Sequence, residues 1–211
     1  MRAWLPSIAV ALAAPIAHGD PVPFPTIAAL CAAACPADVA SDQRCECRML
    51  DRVDEAHAAI VLISSDDEYR RRGYGIAVHG VDGWWLGHTV ELDATGYMYD
   101  PGNCCYSRAV GPIRYSVGSG HVEGFDGPVA VLRVSHAYVR ASKPSWPYAP
   151  PSPVVHIAEV LICGTRADEP IACLEAHLPK CAGSRFAIAG AHVVTACPGE
   201  AWASLELTAT P

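Results

Sequence analysis

The sequence predicts a mainly β fold, an antiparallel β-sandwich or partly open barrel that follows a short Cys-rich helical N-terminal segment. From Ala58 onward, short apolar stretches alternate with Gly, Pro and Asp residues. This pattern is typical of an antiparallel sheet, because each strand is short and ends in a turn. Helical spacing of apolar residues occurs only before Ala58. Many short strands with few helices are typical of sandwiches and small barrels.

Residues 1–19 have the pattern of a secretory signal peptide. Arg2 precedes a short apolar run over residues 3–17, and the small residues Ala17 and Gly19 form an A-x-G cleavage pattern. The run is shorter than the roughly 20 apolar residues of a membrane helix, and prolines interrupt it. We therefore expect cleavage near Gly19 and a secreted or periplasmic chain that begins at Asp20. A retained N-terminal anchor is the alternative, and no later stretch has the length and apolar character of a transmembrane helix.

The chain contains ten cysteines, all of them after the predicted signal peptide. An even number of cysteines in an exported chain is typical of a disulfide framework, whereas in a cytosolic protein they more often bind metal. The predicted export and the predicted disulfides therefore support each other. The disulfide candidates are Cys31, Cys35, Cys45, Cys47, Cys104, Cys105, Cys163, Cys173, Cys181 and Cys197.

Residues 20–57 form the predicted Cys-rich, partly helical segment. Thr26 is a suitable N-cap for a helix that runs through Cys35 and ends at Pro36. Apolar residues at helical spacing predict a second helix over Cys47–His57. One disulfide scheme for this segment joins Cys31 to Cys47 and Cys35 to Cys45, and the crossed scheme is the alternative.

The other cysteines lie in the predicted β-rich domain. Cys104 and Cys105 are adjacent, so each is expected to pair with a more distant partner. A zinc site is the alternative for the last four cysteines, although their spacing lacks a C-x-x-C knuckle. We expect two bridges among these four, Cys163 to Cys173 across a hairpin and Cys181 to Cys197.

Residues 58–211 form this β-rich domain. A Pro-rich connection over residues 141–153 is expected to be stiff and extended. We expect it to join strands of one domain, because neither flank alone would bury much core; a boundary between two domains is the alternative. Strands are predicted at Ala58–Ile63, Val129–Val139, Val154–Cys163, Ile171–His177, Phe186–Ala196 and Ala201–Thr208, with a hairpin over Tyr74–Asp93.

Two histidines of the predicted hairpin are a possible metal-binding pair. If the hairpin turns at Asp82-Gly83, His79 and His88 fall on the same face of the two strands. Two histidines alone do not make a metal site, and the sequence lacks H-E-x-x-H and EF-hand motifs. Strand histidines held by hydrogen bonds are therefore the favoured interpretation, and no metal or cofactor is predicted.

Aromatic residues around this hairpin are candidates for binding a sugar or a peptide by stacking. The residue types fit because large aromatic side chains supply flat apolar surfaces for such ligands. Adjacent strand residues point to opposite faces, so one tryptophan has to leave the face of the other. One tryptophan in the core and one at the surface is the alternative. The candidates are Trp84, Trp85, Tyr97 and Tyr99.

Charge and motifs narrow the class of function. The formal net charge of −7 disfavours nucleic acid as a partner, because phosphate binding needs a positive field. The sequence contains no G-x-S-x-G or S-x-x-K motif, and a flexible loop is the expected state of Gly118-Ser119-Gly120-His121. We expect a non-enzymatic module of the envelope or the extracellular space, structural or binding a protein or glycan. An exported hydrolase or a metal-binding protein that uses strand histidines is the alternative.

The arrangement of the histidines distinguishes these two expectations. Three or more histidines in one cleft favour an enzyme or a metal site, and dispersed histidines favour the module. The histidines concerned are His79, His88, His121, His136, His156, His177 and His192.

Overall fold

The computed structural model describes residues 22–35, 45–65, 71–93, 105–109, 111–142, 154–189, 192–205 and 207–210. Within these ranges the chain is mainly β, as predicted, with one short helix, α1 (Ile27–Ala34), and a 3-10 turn at Asp54–Ala56. The strands are β1 (Cys45–Val53), β2 (Ala58–Ser65), β3 (Arg71–Gly80), β4 (Gly83–Asp93), β5 (Cys105–Ala109), β6 (Arg114–Gly120), β7 (Val129–Ser142), β8 (Val154–Gly164), β9 (Ala172–His177), β10 (Arg185–Ala189), β11 (His192–Ala196), β12 (Ala203–Leu205) and β13 (Thr208–Ala209).

The strands form three antiparallel sheets. The first sheet has the order β1-β2-β3-β4, the middle sheet β13-β9-β8-β7-β5, and the third sheet β10-β11-β12. Strand β6 pairs with the first half of β7, alongside the part that pairs with β5. Across the described residues no sheet closes into a barrel. Stacked open sheets are therefore the architecture, in agreement with the predicted fold class.

Both faces of the middle sheet are buried, and the alternation of side chains along β8 shows how. Leu161 and Cys163 point into a core shared with the first sheet, which we call the front core. Val160 and Ile162 point into a core shared with the third sheet, the rear core. Successive strand residues face opposite sides, so the part of β8 that lies between the two cores, residues 160–163, is continuously apolar.

Helix α1 covers the outer face of the first sheet. Thr26 caps it, since its side-chain oxygen accepts a hydrogen bond of 3.0 Å from the Ala29 backbone N–H. Leu30 is fully buried against Val61 and Ala77 of the sheet below. The predicted helix is thus confirmed with Thr26 as its N-cap; it ends at Ala34, and Cys35, the predicted last residue, is its C-cap.

Four disulfides link cysteines of the described residues. The scheme proposed for the N-terminal segment is the one observed, and both C-terminal pairs are confirmed. Cys104 and the side chain of Cys105 lie outside the described part of the chain, as does the predicted signal peptide. The four Cα–Cα distances are 5.1 Å for Cys31–Cys47, 5.3 Å for Cys35–Cys45, 4.3 Å for Cys163–Cys173 and 6.0 Å for Cys181–Cys197.

The predicted second helix over Cys47–His57 is wrong, because most of these residues form strand β1. β1 pairs with β2 along its whole length, with a register shift between Met49 and Asp51. Leu50 lies in that shift and packs against the front core, three residues before the buried Val53. The three-residue spacing therefore results from a β-bulge, which mimics helical periodicity.

Other predicted elements differ in their limits. The predicted strand Phe186–Ala196 is a hairpin of two strands, and Ala201–Thr208 divides into two short strands that join different sheets. Strand β6 replaces the flexible loop expected at Gly118-Ser119-Gly120. Strands β7 and β8, on either side of the Pro-rich connection, pair directly with each other.

Candidate metal site between the first and middle sheets

The two histidines predicted to share a face lie on opposite faces of the first sheet. His79 pairs with Trp84 across the hairpin, and their rings meet edge to face with centroids 5.0 Å apart. His88 instead points toward the middle sheet, where its Nε2 lies 3.4 Å from Glu175 Oε2. The predicted shared face of His79 and His88 is therefore wrong.

A β-bulge in β4 explains the difference. Ala77 pairs with Leu86 while Gly75 pairs with Thr89, so β4 has one residue more than β3 in this interval. The extra residue reverses the alternation beyond Leu86, since each one-residue shift moves a side chain to the other face. The turn itself is Val81-Asp82, closed by the pair Gly80 and Gly83, one residue earlier than predicted.

The aromatic candidates do not form one platform among the described residues. Trp84 packs with Phe24 on the outer face of the first sheet. Trp85 is buried, with 8% of its surface exposed, and lies next to Gly80. Tyr97 and Tyr99 lie outside the described residues.

The hydroxyl of Ser119, two residues before His121 in the sequence, bonds to a residue of another sheet. Ser119 lies in β6, and its hydroxyl donates a short hydrogen bond to the Glu55 carboxylate. Glu55 belongs to the turn between β1 and β2, so this bond joins the middle sheet to the first. A structural role explains the serine.

A cluster of four ionisable side chains lies where the first sheet meets the middle sheet. Glu159 comes from β8, Glu175 and His177 come from β9, and His88 comes from β4. Glu159 and His177 are register partners, and Glu175 is two residues from His177, so all three face the same side. This side is the front face, on which Cys163 and Cys173 also lie.

Short distances join the members of this cluster. His177 Nδ1 lies 3.4 Å from Glu159 Oε1, and His177 Nε2 lies 3.8 Å from Glu175 Oε1. Glu175 thus contacts one histidine of its own strand and, through its other oxygen, His88 of the first sheet. One ligand atom from each of Glu159, Glu175 and His177 falls within 4.8 Å of the others.

A glycine allows His88 to reach this cluster. A Cβ atom added at Gly87 would overlap Cys173 Sγ and come within 3.1 Å of Cys163 Sγ. With no side chain there, β4 approaches the disulfide of β8 and β9 closely. The neighbouring His88 is consequently placed beside Glu175.

The carboxyl group of Glu159 is the least exposed of the cluster. Its side chain is 17% exposed, compared with 73% for His177. Burial raises the pKa of Glu159 above its ordinary value, and the nearby Glu175 carboxylate acts in the same direction. His177 and His88 oppose this rise. Two carboxylates and two imidazoles are therefore held at the edge of a core, with His177 open to solvent.

Among the described residues, this cluster brings together two histidines and does not reach the three that would favour an enzyme or a metal site. His88 and His177 share Glu175, whereas His79 contacts Trp84 and His136 stacks on Tyr138 with centroids 6.1 Å apart. One of these histidines, His177, nevertheless forms a group of three possible metal ligands with Glu159 and Glu175. The two glutamates were not identified from the sequence, although Glu159 interrupts an apolar strand and Glu175-Ala176-His177 has the i, i+2 spacing of one strand face.

No protein family model, curated protein or solved structure gives a significant match to this chain. Among the described residues, no helix has both the length and the apolar character needed to cross a membrane.

Proposed function

We propose that this protein is an exported, disulfide-stabilised module that binds a divalent transition metal ion through Glu159, Glu175 and His177. The single observation that carries the metal proposal is the approach of three ligand atoms, one from each residue, to within 4.8 Å. The identity, the number and the convergence of the ligand atoms are the features by which a metal site is recognised.

Export is supported by the cysteines together with the N-terminal sequence. Four disulfides join the described cysteines, and such bonds persist in oxidising compartments such as the periplasm or the extracellular space. The apolar segment after Arg2 then serves as a signal peptide that is removed near Gly19.

The donor atoms favour a transition metal over calcium or magnesium. Ca²⁺ and Mg²⁺ prefer oxygen ligands, whereas imidazole nitrogen suits Zn²⁺, Ni²⁺ and Cu²⁺. Glu159 and Glu175 supply carboxylate oxygens and His177 supplies a ring nitrogen. A site with one nitrogen and two oxygen ligands is accessible to Zn²⁺, which accepts both.

A bound cation also relieves an electrostatic cost that the cluster carries without it. Glu159 and Glu175 repel each other at the edge of the front core, and burial disfavours the charged form of Glu159. A divalent cation offsets both effects. His88 contacts Glu175 from the first sheet and so orients this ligand, as groups that hydrogen-bond to metal ligands do.

Zinc titration of the full, oxidised protein tests this function. We expect one Zn²⁺ per chain by isothermal titration calorimetry and native mass spectrometry. Glu175→Gln should weaken the affinity by about tenfold or more, because it replaces a charged carboxylate ligand with a neutral amide. His79→Ala is the matched control, since His79 lies against Trp84 on the other face, and its affinity should equal that of the wild type.

Other results assign the protein differently. Absence of zinc binding, or equal affinity in Glu175→Gln, would contradict the metal site and leave the structural or partner-binding module. Ester hydrolysis that appears only with zinc would indicate the hydrolase. Mass spectrometry of exported protein, with and without reductant, tests the export proposal separately through the N-terminal residue and the disulfides.

A further inference from the structure

A second site lies on the opposite face of the middle sheet. A cleft of about 490 Å³ opens between this rear face and the loop that leads from β9 to β10. This volume lies within the range of small-ligand sites. Its polar lining includes Arg114, Ser116, Arg133, Ser135, His156 and Ser184.

Arg133 is the main charge of this cleft. Its Nη2 donates hydrogen bonds to the carbonyl and the hydroxyl of Ser184, at 3.0 and 3.3 Å. Within the described residues no carboxylate forms an ion pair with this guanidinium, and its buried Nε has no hydrogen-bond partner. Burial lowers the pKa of Arg133 from its ordinary value. A half-buried cation without an anion is unfavourable, and a bound anion would compensate its charge.

The charged residues that line the cleft are positive, whereas the net charge of the chain is negative. The chain carries a formal net charge of −7, yet no acidic residue is among the described residues that line the cleft. Arg114 lies beside Ser135 in register, and Ser116 lies beside Arg133, so these side chains share the rear face. Arginine with several hydroxyl donors is a typical set for recognising carboxylate or phosphate groups.

The loop above the cleft is fixed by covalent and hydrogen bonds. Cys181 is bonded to Cys197, which follows β11 directly. The backbone N–H of Cys181 donates a hydrogen bond of 2.8 Å to the Pro179 carbonyl. Gly183 adopts a positive φ of 73°, a conformation that favours glycine. Ser184, which anchors Arg133, is 5% exposed. The cleft is therefore preformed, which lowers the entropic cost of binding a ligand.

We propose that this cleft binds a small organic anion through a carboxylate or phosphate group, with Arg133 as the principal charged contact and Arg114 at the mouth. The site is independent of the metal cluster, since the two lie on opposite faces of the middle sheet.

Titration with citrate and with inorganic phosphate tests the proposal on metal-free, oxidised protein. We expect saturable binding by calorimetry, with the stronger of the two probes identifying the preferred anionic group. Arg133→Gln should weaken the affinity for the anion by roughly tenfold or more. Arg114→Gln alters an exposed residue and should weaken this affinity by less. Arg133→Lys keeps the charge but loses the planar donor arrangement, so intermediate affinity is expected.

Two controls separate this site from general electrostatics and from the metal cluster. Arg185→Gln removes an arginine that lies over Trp202 outside the cleft, and it should leave the affinity unchanged. Glu175→Gln should also leave anion binding unchanged. Absence of saturable binding of both probes, or equal losses in Arg114→Gln and Arg185→Gln with none in Arg133→Gln, would overturn the proposal.

Discussion

Both faces of the middle sheet are buried, but the charged side chains at their edges have opposite signs. On the front face, Glu159 and Glu175 form a cluster with two histidines at the edge of the core. On the rear face, Arg133 lies in a cleft without a carboxylate partner among the described residues. One face thus concentrates negative charge that a cation would offset, and the other presents a positive charge that an anion would offset.

This contrast shows that the apolar parts of the two faces are equivalent, while the polar edges are specialised. Leu161 and Ile162 are adjacent in β8, fully buried, and belong to different cores. The stability of the sheet stack therefore depends on both faces, and each candidate site depends on a few residues at one edge.

Removing one large core side chain on each face should give the largest effects. Leu161→Ala and Ile162→Ala are each expected to lower the free energy of unfolding by about 2–5 kcal/mol, because each leaves a cavity in a closed core. Urea denaturation monitored by circular dichroism measures the loss. A change under about 1 kcal/mol in one variant alone would show that the corresponding face is not covered by a packed sheet.

Removing one disulfide on each face of the middle sheet compares how much stability the two bonds contribute. The double substitutions Cys163→Ala with Cys173→Ala and Cys181→Ala with Cys197→Ala should each lower the free energy of unfolding by about 3 kcal/mol, because the two disulfides close loops with sequence separations of 10 and 16. The first bond is buried in the front core, so its loss should be the larger of the two. Thermal unfolding measures both; equal stability of either variant and the wild type would contradict the expectation.

The buried carboxyl of the front face should make stability depend on pH. Burial raises the pKa of Glu159 in the folded state, so the folded chain holds its proton more tightly than the unfolded chain. Stability contributed by this group is present below the unfolded-state pKa and is lost as pH rises through the raised folded-state pKa. Metal-free Glu159→Gln should therefore be more stable than the wild type at neutral pH, and this advantage should shrink in acid.

Chemical denaturation with chelator at a series of pH values measures this difference. Asp51→Asn, which alters an exposed carboxylate of β1, is the matched control and should not change the pH dependence in this way. A Glu159→Gln protein less stable than the wild type at neutral pH would show that the contacts of the carboxylate outweigh its burial.

Surface arginines should have the smallest effects. Arg185 lies over Trp202 on the third sheet, 5.3 Å from the ring centroid, and Arg185→Ala should cost about 0.5 kcal/mol. Arg48 pairs with Glu46 on the first sheet, where both side chains are largely exposed, and Arg48→Ala should be close to neutral. Denaturation at low and high salt separates the two; a larger loss for Arg48→Ala would reverse this ranking.

Local signals predicted part of the fold well. Thr26 as an N-cap and Pro36 as a terminator gave the limits of α1, because capping depends on residues close in the sequence. The strands on either side of the Pro-rich connection were recognisable as apolar runs. The predictions for β1 and β4 were wrong because each strand contains a β-bulge. One extra residue in a strand changes the spacing of the apolar residues from which the elements and their faces were predicted.

The candidate metal site could not be assembled from the sequence. His88 was a candidate, but its predicted companion His79 faces the other way, and its observed partner Glu175 lies on a different sheet. Glu159 and His177 meet through the register of β8 and β9, which a single sequence does not specify. The Arg133 cleft likewise depends on the position of a loop far along the chain.

By itself, the sequence determined that the chain is mainly β, where its helix lies, and which cysteines of the C-terminal part pair, because these features follow from local patterning and short loops. Only the tertiary structure decided which faces the ionisable side chains share. A strand's faces are set by its partners and bulges, so Gly87 and the bulge beside it direct His88 to Glu175, and the two candidate sites arise from how the three sheets stack.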